Sequence, residues 1–166
     1  IKQSAQKRLY DPHQKAFRKG LRRNKNGTYT PDNTLDMSAA YGAFIYGLYD
    51  NQEDLHQAIQ TALDRFHFKL EAPGLPRYED DAYYRSAPDA PSNWWFIVSL
   101  WLAQYYLECG DENSAQRIIS WVASQAWPTG VLSEQIDPVS GHECSVAPLC
   151  WSQAEFISTI LDTIKR

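Results

Sequence analysis

The sequence predicts an all-α protein, and three observations support this prediction. Apolar residues recur at steps of three and four in successive segments, which is the period of a helix. No segment shows the strict alternation of a half-buried strand. One helical segment is apolar all round, and others have a single apolar stripe. This alternation indicates an inner layer of helices wrapped by an outer layer. With 166 residues, the chain is expected to form one domain, residues 1–166.

The first predicted helices follow a polar, irregular segment, residues 1–34, in which residues 24–27 form a turn. Asp36 is expected to cap a helix that continues to Leu48. A second helix is predicted from Gln52 to Phe66. Its apolar residues lie on one face: Leu55, Ala58, Ile59, Ala62, Leu63 and Phe66.

The later helices include the segment predicted to be the most deeply buried. Residues 94–107 are apolar nearly all round, and Gly110 is expected to end this helix. Asp111 then opens an amphipathic helix, and a last helix is predicted from Trp151 to Ile164. The amphipathic helix is expected to turn these residues inward: Ala115, Ile118, Ile119, Val122 and Ala126.

Two long loops interrupt the helices, at residues 71–93 and 127–148. The first contains four prolines, at positions 73, 76, 88 and 91, a density that no regular element tolerates. Long loops without secondary structure in a compact domain are usually functional. We therefore expect the functional residues of this chain to lie in these two loops.

Composition excludes some classes of function. The net charge of −4 and the pI of about 5.5 argue against a nucleic-acid partner. Three irregularly spaced cysteines and four scattered histidines predict neither a disulfide framework nor a metal site, and no cofactor motif is present. No apolar run is long enough for a transmembrane helix, so no membrane association is expected. Aromatic residues make up 13% of the chain. Aromatic rings fill protein cores, but they also stack on flat apolar faces such as those of sugars.

Glu134 is the candidate catalytic residue of the second loop. Ser133, Gln135 and Ser145 are polar neighbours that could hold its carboxylate ionised and oriented, as a general base requires. Asp137 and Glu143 compete for the role in weaker surroundings. Taken alone, a loop glutamate is more often a surface carboxylate, and this alternative stays open at the level of sequence.

The first loop contains the run Arg77-Tyr78-Glu79-Asp80-Asp81-Ala82-Tyr83-Tyr84. One interpretation is a solvated acidic turn. The other is a sugar-binding arm, in which charged groups bond to hydroxyls and tyrosines supply apolar faces. Trp94 and Trp95 follow, and we expect one of them in the core and the other at a pocket.

Two segments carry a resemblance to a known family, the inverting glucoamylases of glycoside hydrolase family 15. The catalytic-base segment of that family resembles Ser133-Glu134-Gln135 followed by Asp137, Gly141, Ser145, Leu149, Trp151 and Ser152. Its sugar-binding arm resembles Arg77-Tyr78, Asp80, Asp81, Tyr83 and Tyr84 followed by Asn93, Trp95 and Phe96. The similarity covers roughly residues 30–166.

The resemblance implies a portion of an (α/α)6 barrel and an exo-acting hydrolysis of α-glucosidic bonds in α-glucans with inversion. It implies that Glu134 is the general base. It also implies sugar contacts from four residues: Arg77, Tyr78, Asp80 and Trp95. Ser145 would tune the base and Trp151 would support it.

The acid motif of the family is absent from this sequence. Because an inverting glycosidase needs both an acid and a base, we expect the chain to be the C-terminal half of a catalytic domain, completed by an N-terminal half and inactive alone. Two alternatives remain. One is another (α/α)6 carbohydrate enzyme, such as a trehalase-like, glucodextranase-like or phosphorolytic relative. The other is a sugar-binding helical module without catalysis.

Overall fold

The computed structural model describes residues 2–165, and the chain divides into two compact units, Ile1–His67 and Phe68–Arg166. Within the described residues the protein is mostly helical, with six helices and three small antiparallel sheets. The prediction of helices is confirmed, and the prediction of a fold without strands is wrong. None of the helices in the described range has the length and apolar character needed to cross a membrane.

The first unit begins with helix α1 (Lys2–Leu9) and two hairpins, β1 (Tyr10–Asp11) with β2 (Ala16–Phe17) and β3 (Gly20–Arg23) with β4 (Tyr29–Asp32). The expected irregular segment is therefore structured. The predicted turn at residues 24–27 is confirmed: it connects β3 to β4, and Gly27 adopts a φ of +81° there. The strands are short, and β4 is exposed throughout, so they leave no alternating pattern in the sequence.

Helices α2 (Met37–Ile45) and α3 (Gln52–Arg65) complete the first unit. Asp36 caps α2 as predicted, accepting a hydrogen bond of 2.8 Å from the backbone N–H of Ser38. The helix is shorter than expected because Gly47, at a φ of +54°, turns the chain away after Tyr46. The single-face prediction for α3 is confirmed except at Phe66, which follows the end of the helix and is half-buried. The buried residues of the helix are Leu55, Ala58, Ile59, Ala62 and Leu63.

The second unit is built on helix α4 (Phe96–Glu108), which packs against both α5 (Glu112–Ser124) and α6 (Cys150–Ile164). Eleven of the thirteen residues of α4 are buried, as its all-round apolar pattern predicts. Gly110, at a φ of +79°, follows the end of α4, and Asp111 caps α5. The predicted inward face of α5 is confirmed except at Ala126, which lies beyond the helix and is half-buried.

A three-stranded sheet connects the two long loops of this unit. Strand β5 (Trp94–Trp95) pairs with β6 (Gln135–Ile136), and β6 pairs with β7 (Glu143–Cys144). The expectation that Trp94 and Trp95 begin the buried helix is therefore wrong, because both residues are extended and α4 starts at Phe96. The strands fix the end of the first loop, residues 71–93, beside the segment that carries Glu134.

Candidate active site

Glu134 directly precedes β6, and two hydrogen bonds fix its backbone. Its N–H donates to the carbonyl of Val146 at 3.0 Å, and its carbonyl accepts from the N–H of Phe96 at 3.5 Å. The side chain is half-buried. The main chain of Glu134 is therefore fixed, and its carboxylate retains access to solvent. A group that activates water requires both.

Gln135 holds the Glu134 carboxylate. Its Nε2 donates to Glu134 Oε2 at 3.0 Å, and its own side chain is fully buried. Of the three polar neighbours expected to do this, Ser133 instead donates to the backbone carbonyl of Gln135 at 2.9 Å. Within residues 2–165, no hydrogen bond joins the Ser145 hydroxyl to Glu134. The tuning role of Ser145 therefore stays a prediction.

The two competing carboxylates of this loop serve local structure. Asp137 accepts from the backbone N–H groups of Val139 at 2.7 Å and Ser140 at 3.1 Å, which closes the turn between β6 and β7. The backbone bonds from Ser140 and Val139 hold the pKa of Asp137 below its ordinary value of 3.8. Glu143 is exposed and accepts from the indole N–H of Trp127.

Arg77, in the first loop, is held by an ion pair with Asp81. Arg77 Nε donates to Asp81 Oδ2 at 3.1 Å and Arg77 Nη2 donates to Asp81 Oδ1 at 3.2 Å, a two-point ion pair. Burial alone would lower the pKa of the guanidinium, but the hydrogen bonds and charge of Asp81 outweigh it and raise that pKa. Arg77 is therefore a permanent, oriented cation.

Aromatic rings surround the Arg77 guanidinium. Its carbon atom lies 4.3 Å from the centre of the Trp95 ring, 4.8 Å from that of Tyr78 and 5.7 Å from that of Tyr83. Nη2 also donates to the Tyr78 hydroxyl at 3.3 Å. Trp95 is 3% exposed, and its indole N–H has no hydrogen-bond partner among the described residues. The structure thus brings together three of the four predicted sugar-binding residues: Arg77, Tyr78 and Trp95.

Asp80, the fourth predicted sugar ligand, lies apart from this group. It is exposed and adopts a φ of +55°, and Asp81 takes the position beside the guanidinium. The sequence contains one signal for this pairing, because Arg77 and Asp81 are four residues apart. In a loop, however, that spacing alone does not predict a contact.

Asn93 stands in the segment that resembles the sugar-binding arm, but the sequence-based prediction gave it no role. Its Nδ2 donates to the backbone carbonyl of Tyr84 at 2.9 Å and to Gln135 Oε1 at 3.1 Å. Asn93 is 2% exposed. It therefore connects the Arg77 loop to the residue that holds the Glu134 carboxylate.

Trp151, expected to support the base, lies in the first turn of α6 and is 49% exposed. Its ring centre is 6.0 Å from that of Trp101 on α4. This contact fixes the start of α6 against α4. A supporting role toward Glu134 stays a prediction.

The chemistry available here is that of one half-buried, oriented carboxylate, Glu134, in the loop that pairs with the end of the Arg77 loop. Glu134 can accept a proton from water. Arg77 can donate hydrogen bonds, and the half-buried ring of Tyr78 and the exposed ring of Tyr83 offer apolar faces. Among the described residues, no group of histidine, cysteine and carboxylate side chains could hold a metal ion.

Comparison with known proteins gives relatives but no matching family model. The chain is 26% identical over 178 residues to an uncharacterized glycosyl hydrolase of Methanocaldococcus jannaschii, an alignment that covers 99% of this chain and 26% of that protein. It is thus similar in sequence to a protein named a glycosyl hydrolase.

Solved structures share the fold. A structure named glycosidase, wild type, superposes with a TM-score of 0.64 at 21% identity, covering 81% of this chain and 37% of that one. A glutamate-to-alanine variant named glycosidase, in complex with glucose, matches with the same TM-score at 20% identity. An uncharacterized conserved protein of Thermus thermophilus matches with a TM-score of 0.59 at 13% identity, over 93% of this chain and 36% of that one. The chain therefore shares the fold of part of these proteins and spans 26% of the length of the curated relative it matches.

Proposed function

We propose that this chain provides the general base and part of the sugar-binding cleft of an inverting glycoside hydrolase. The observation that carries the proposal is the pairing of Trp95 with Gln135 in the β5–β6 sheet. This pairing joins the loop that contains Arg77 to the loop that contains Glu134, although the two residues are far apart in the sequence. The names of the relatives, glycosyl hydrolase and glycosidase, support the same class of reaction.

In the proposed reaction, Glu134 removes a proton from a water molecule as that water attacks the anomeric carbon of the sugar. The C–O bond to the leaving group breaks, and the leaving oxygen takes a proton from a general acid. In inverting enzymes the acid and base stand about 6.5–9.5 Å apart, so that the water fits between base and sugar. The hydrogen bond from Gln135 keeps the Glu134 carboxylate aimed while it accepts the proton.

Sugar binding is assigned to the cluster around Arg77. The guanidinium, fixed by Asp81, donates to sugar hydroxyls, and the ring of Tyr78 lines the cleft. The buried ring of Trp95 forms the wall behind the guanidinium. Asp80 remains a proposed ligand at the exposed edge of the loop. The glucose bound by a variant of one structural relative supports glucose as the sugar recognised. We propose α-glucosidic bonds at chain ends of α-glucans as the substrate.

The general acid is proposed to come from a further part of the same (α/α)6 catalytic domain. The relatives are longer than the stretch they share with this chain, which supports such a part. Helix α6 also has apolar side chains on its surface that another helix could cover: Trp151, Ile157, Leu161 and Ile164. Residues 1–166 would then form the C-terminal part of one domain.

The proposal is tested with the intact protein on maltose, longer α-glucans and trehalose, with and without phosphate. Proton NMR during the first minutes identifies the anomer released. We expect glucose from chain ends as the β-anomer, without dependence on phosphate. Release of the α-anomer would contradict inversion, a requirement for phosphate would indicate a phosphorylase, and sugar binding without any product would indicate a non-catalytic module.

A further inference from the structure

Asn93 and Gln135 form a buried pair of side-chain amides, and the geometry determines which way each amide faces. The backbone carbonyl of Tyr84 can only accept a hydrogen bond, so the atom of Asn93 that lies 2.9 Å from it is the donor, Nδ2. The same nitrogen lies 3.1 Å from the Gln135 side chain. The Gln135 atom that faces it must therefore be the acceptor, Oε1.

This orientation leaves Gln135 Nε2 facing the Glu134 carboxylate, to which it donates at 3.0 Å. If the Gln135 amide were reversed, its carbonyl oxygen would face the carboxylate, and two acceptors would repel each other. The backbone carbonyl of Tyr84, in the first loop, thus determines the orientation of both amides. Through them it determines which atom of Gln135 faces the proposed base, Glu134, in the second loop.

The burial of both amides protects their hydrogen bonds from competition with water. Asn93 is 2% exposed and Gln135 is fully buried, so water does not compete for their hydrogen bonds. Asn93 Oδ1 is also buried and has no hydrogen-bond partner among residues 2–165. The donor nitrogen of Asn93 is therefore the atom that acts in this network.

We propose that Asn93 is a positioning residue that fixes the orientation of the Gln135 amide and through it the Glu134 carboxylate. The inference rests on the proposed role of Glu134 as the general base. Asn93 itself contacts no reacting atom, since it reaches the base only through Gln135.

The sharpest variant is Asn93→Asp, which keeps the shape of the side chain and removes both of its donors. A carboxylate at this position attracts Gln135 Nε2 and turns Oε1 toward Glu134. We expect kcat to fall by about tenfold to a hundredfold while KM changes little, because the base is misplaced and the sugar contacts remain. Asn113→Asp, the same change on the exposed surface of α5, serves as the control and should leave kcat unchanged.

A double-mutant cycle in the intact protein separates positioning from a general structural effect. Asn93→Asp, Gln135→Ala and the double variant are compared by kcat, KM and thermal unfolding. If Asn93 acts through Gln135, the double variant loses no more kcat than Gln135→Ala alone. Losses that multiply would overturn the proposal, as would an unchanged kcat in Asn93→Asp.

Two further variants ensure that each result can be interpreted. If Asn93→Asp does not fold, Asn93→Ser is carried through the same cycle, because its hydroxyl can donate to only one of the two acceptors at a time. Glu134→Gln is measured in the same assay. An active Glu134→Gln would refute the proposed function itself, whereas an inactive Glu134→Gln beside a fully active Asn93→Asp would refute only the role of Asn93.

Discussion

Asp81 holds Arg77 by two parallel hydrogen bonds, 3.1 Å from Nε to Oδ2 and 3.2 Å from Nη2 to Oδ1. The carboxylate is 1% exposed, and the guanidinium carbon lies 4.3 Å from the centre of the Trp95 ring. Arg77 is thus held by both an anion and an aromatic face. The position of its guanidinium depends on these contacts, and the effect of removing the anion can be measured.

Asp81→Asn should lower the free energy of unfolding by about 2 kcal/mol, because the buried charged acceptor of Arg77 is lost. It should also raise KM for the substrate, since the guanidinium is no longer oriented. The measurement is urea denaturation combined with steady-state kinetics. Asp80→Asn is the matched control and should change stability by less than about 0.5 kcal/mol. Equal destabilisation by the two variants would contradict the assignment of Asp81 as the residue that holds Arg77.

Gly74 is predicted to tolerate no side chain. A Cβ at this position would lie 2.0 Å from Cδ2 of Trp94, and Trp94 itself packs edge-on against Trp121. Gly74→Ala should therefore destabilise the protein by about 1–3 kcal/mol as the indole is displaced.

The control for this variant is Gly42→Ala, inside helix α2, where a Cβ meets no atom within 4 Å. Alanine is the better helix former, so this variant should gain about 0.5–1 kcal/mol. Both are measured by thermal unfolding. A neutral Gly74→Ala would show that Trp94 does not occupy the space above that glycine.

Asp137 should give the stability of the protein a defined pH dependence. Backbone N–H groups of Ser140 and Val139 lower its pKa in the folded state below 3.8. Because the folded pKa is the lower one, the contribution is complete above pH 3.8 and is lost as the pH falls below that value through the folded pKa. Asp137→Asn keeps an acceptor for the turn but cannot titrate.

The stability difference between the parent and Asp137→Asn should therefore be constant near neutral pH and shrink below pH 3.8. Urea denaturation at a series of pH values provides the test. A difference that grows as the pH falls would mean that the folded-state pKa of Asp137 is raised and not lowered.

The sequence predicted those features that depend on neighbours along the chain. The stripe of α3, the cap at Asp36 and the glycine after α4 follow from helical period and end chemistry, and the structure has all three. Trp94–Trp95 could not be predicted as a strand, because two residues show no period. Their conformation comes from pairing with residues 135–136, about forty positions away.

The site was predictable in its residue types but not in its contacts. Three of the four expected sugar-binding residues lie together, whereas the pairing of Arg77 with Asp81 and the role of Asn93 depend on how the loops fold back. A positive φ at Asp80 turns its side chain to the surface, a conformation that the acidic run does not indicate. The contacts of Asn93 could not be predicted, although the residue stands in the segment that resembles the sugar-binding arm, because its partners, Tyr84 and Gln135, belong to different loops.

The kcat of Glu134→Gln in the intact protein tests the central claim most directly, with Glu143→Gln, an exposed glutamate of the same loop, as its control. The glutamine keeps the size of the side chain and cannot accept the proton of water. We expect a loss of about 10²- to 10⁴-fold for Glu134→Gln. Glu143→Gln should retain the activity of the parent. If Glu134→Gln hydrolyses the substrate as fast as the Glu143→Gln control, Glu134 is not the general base.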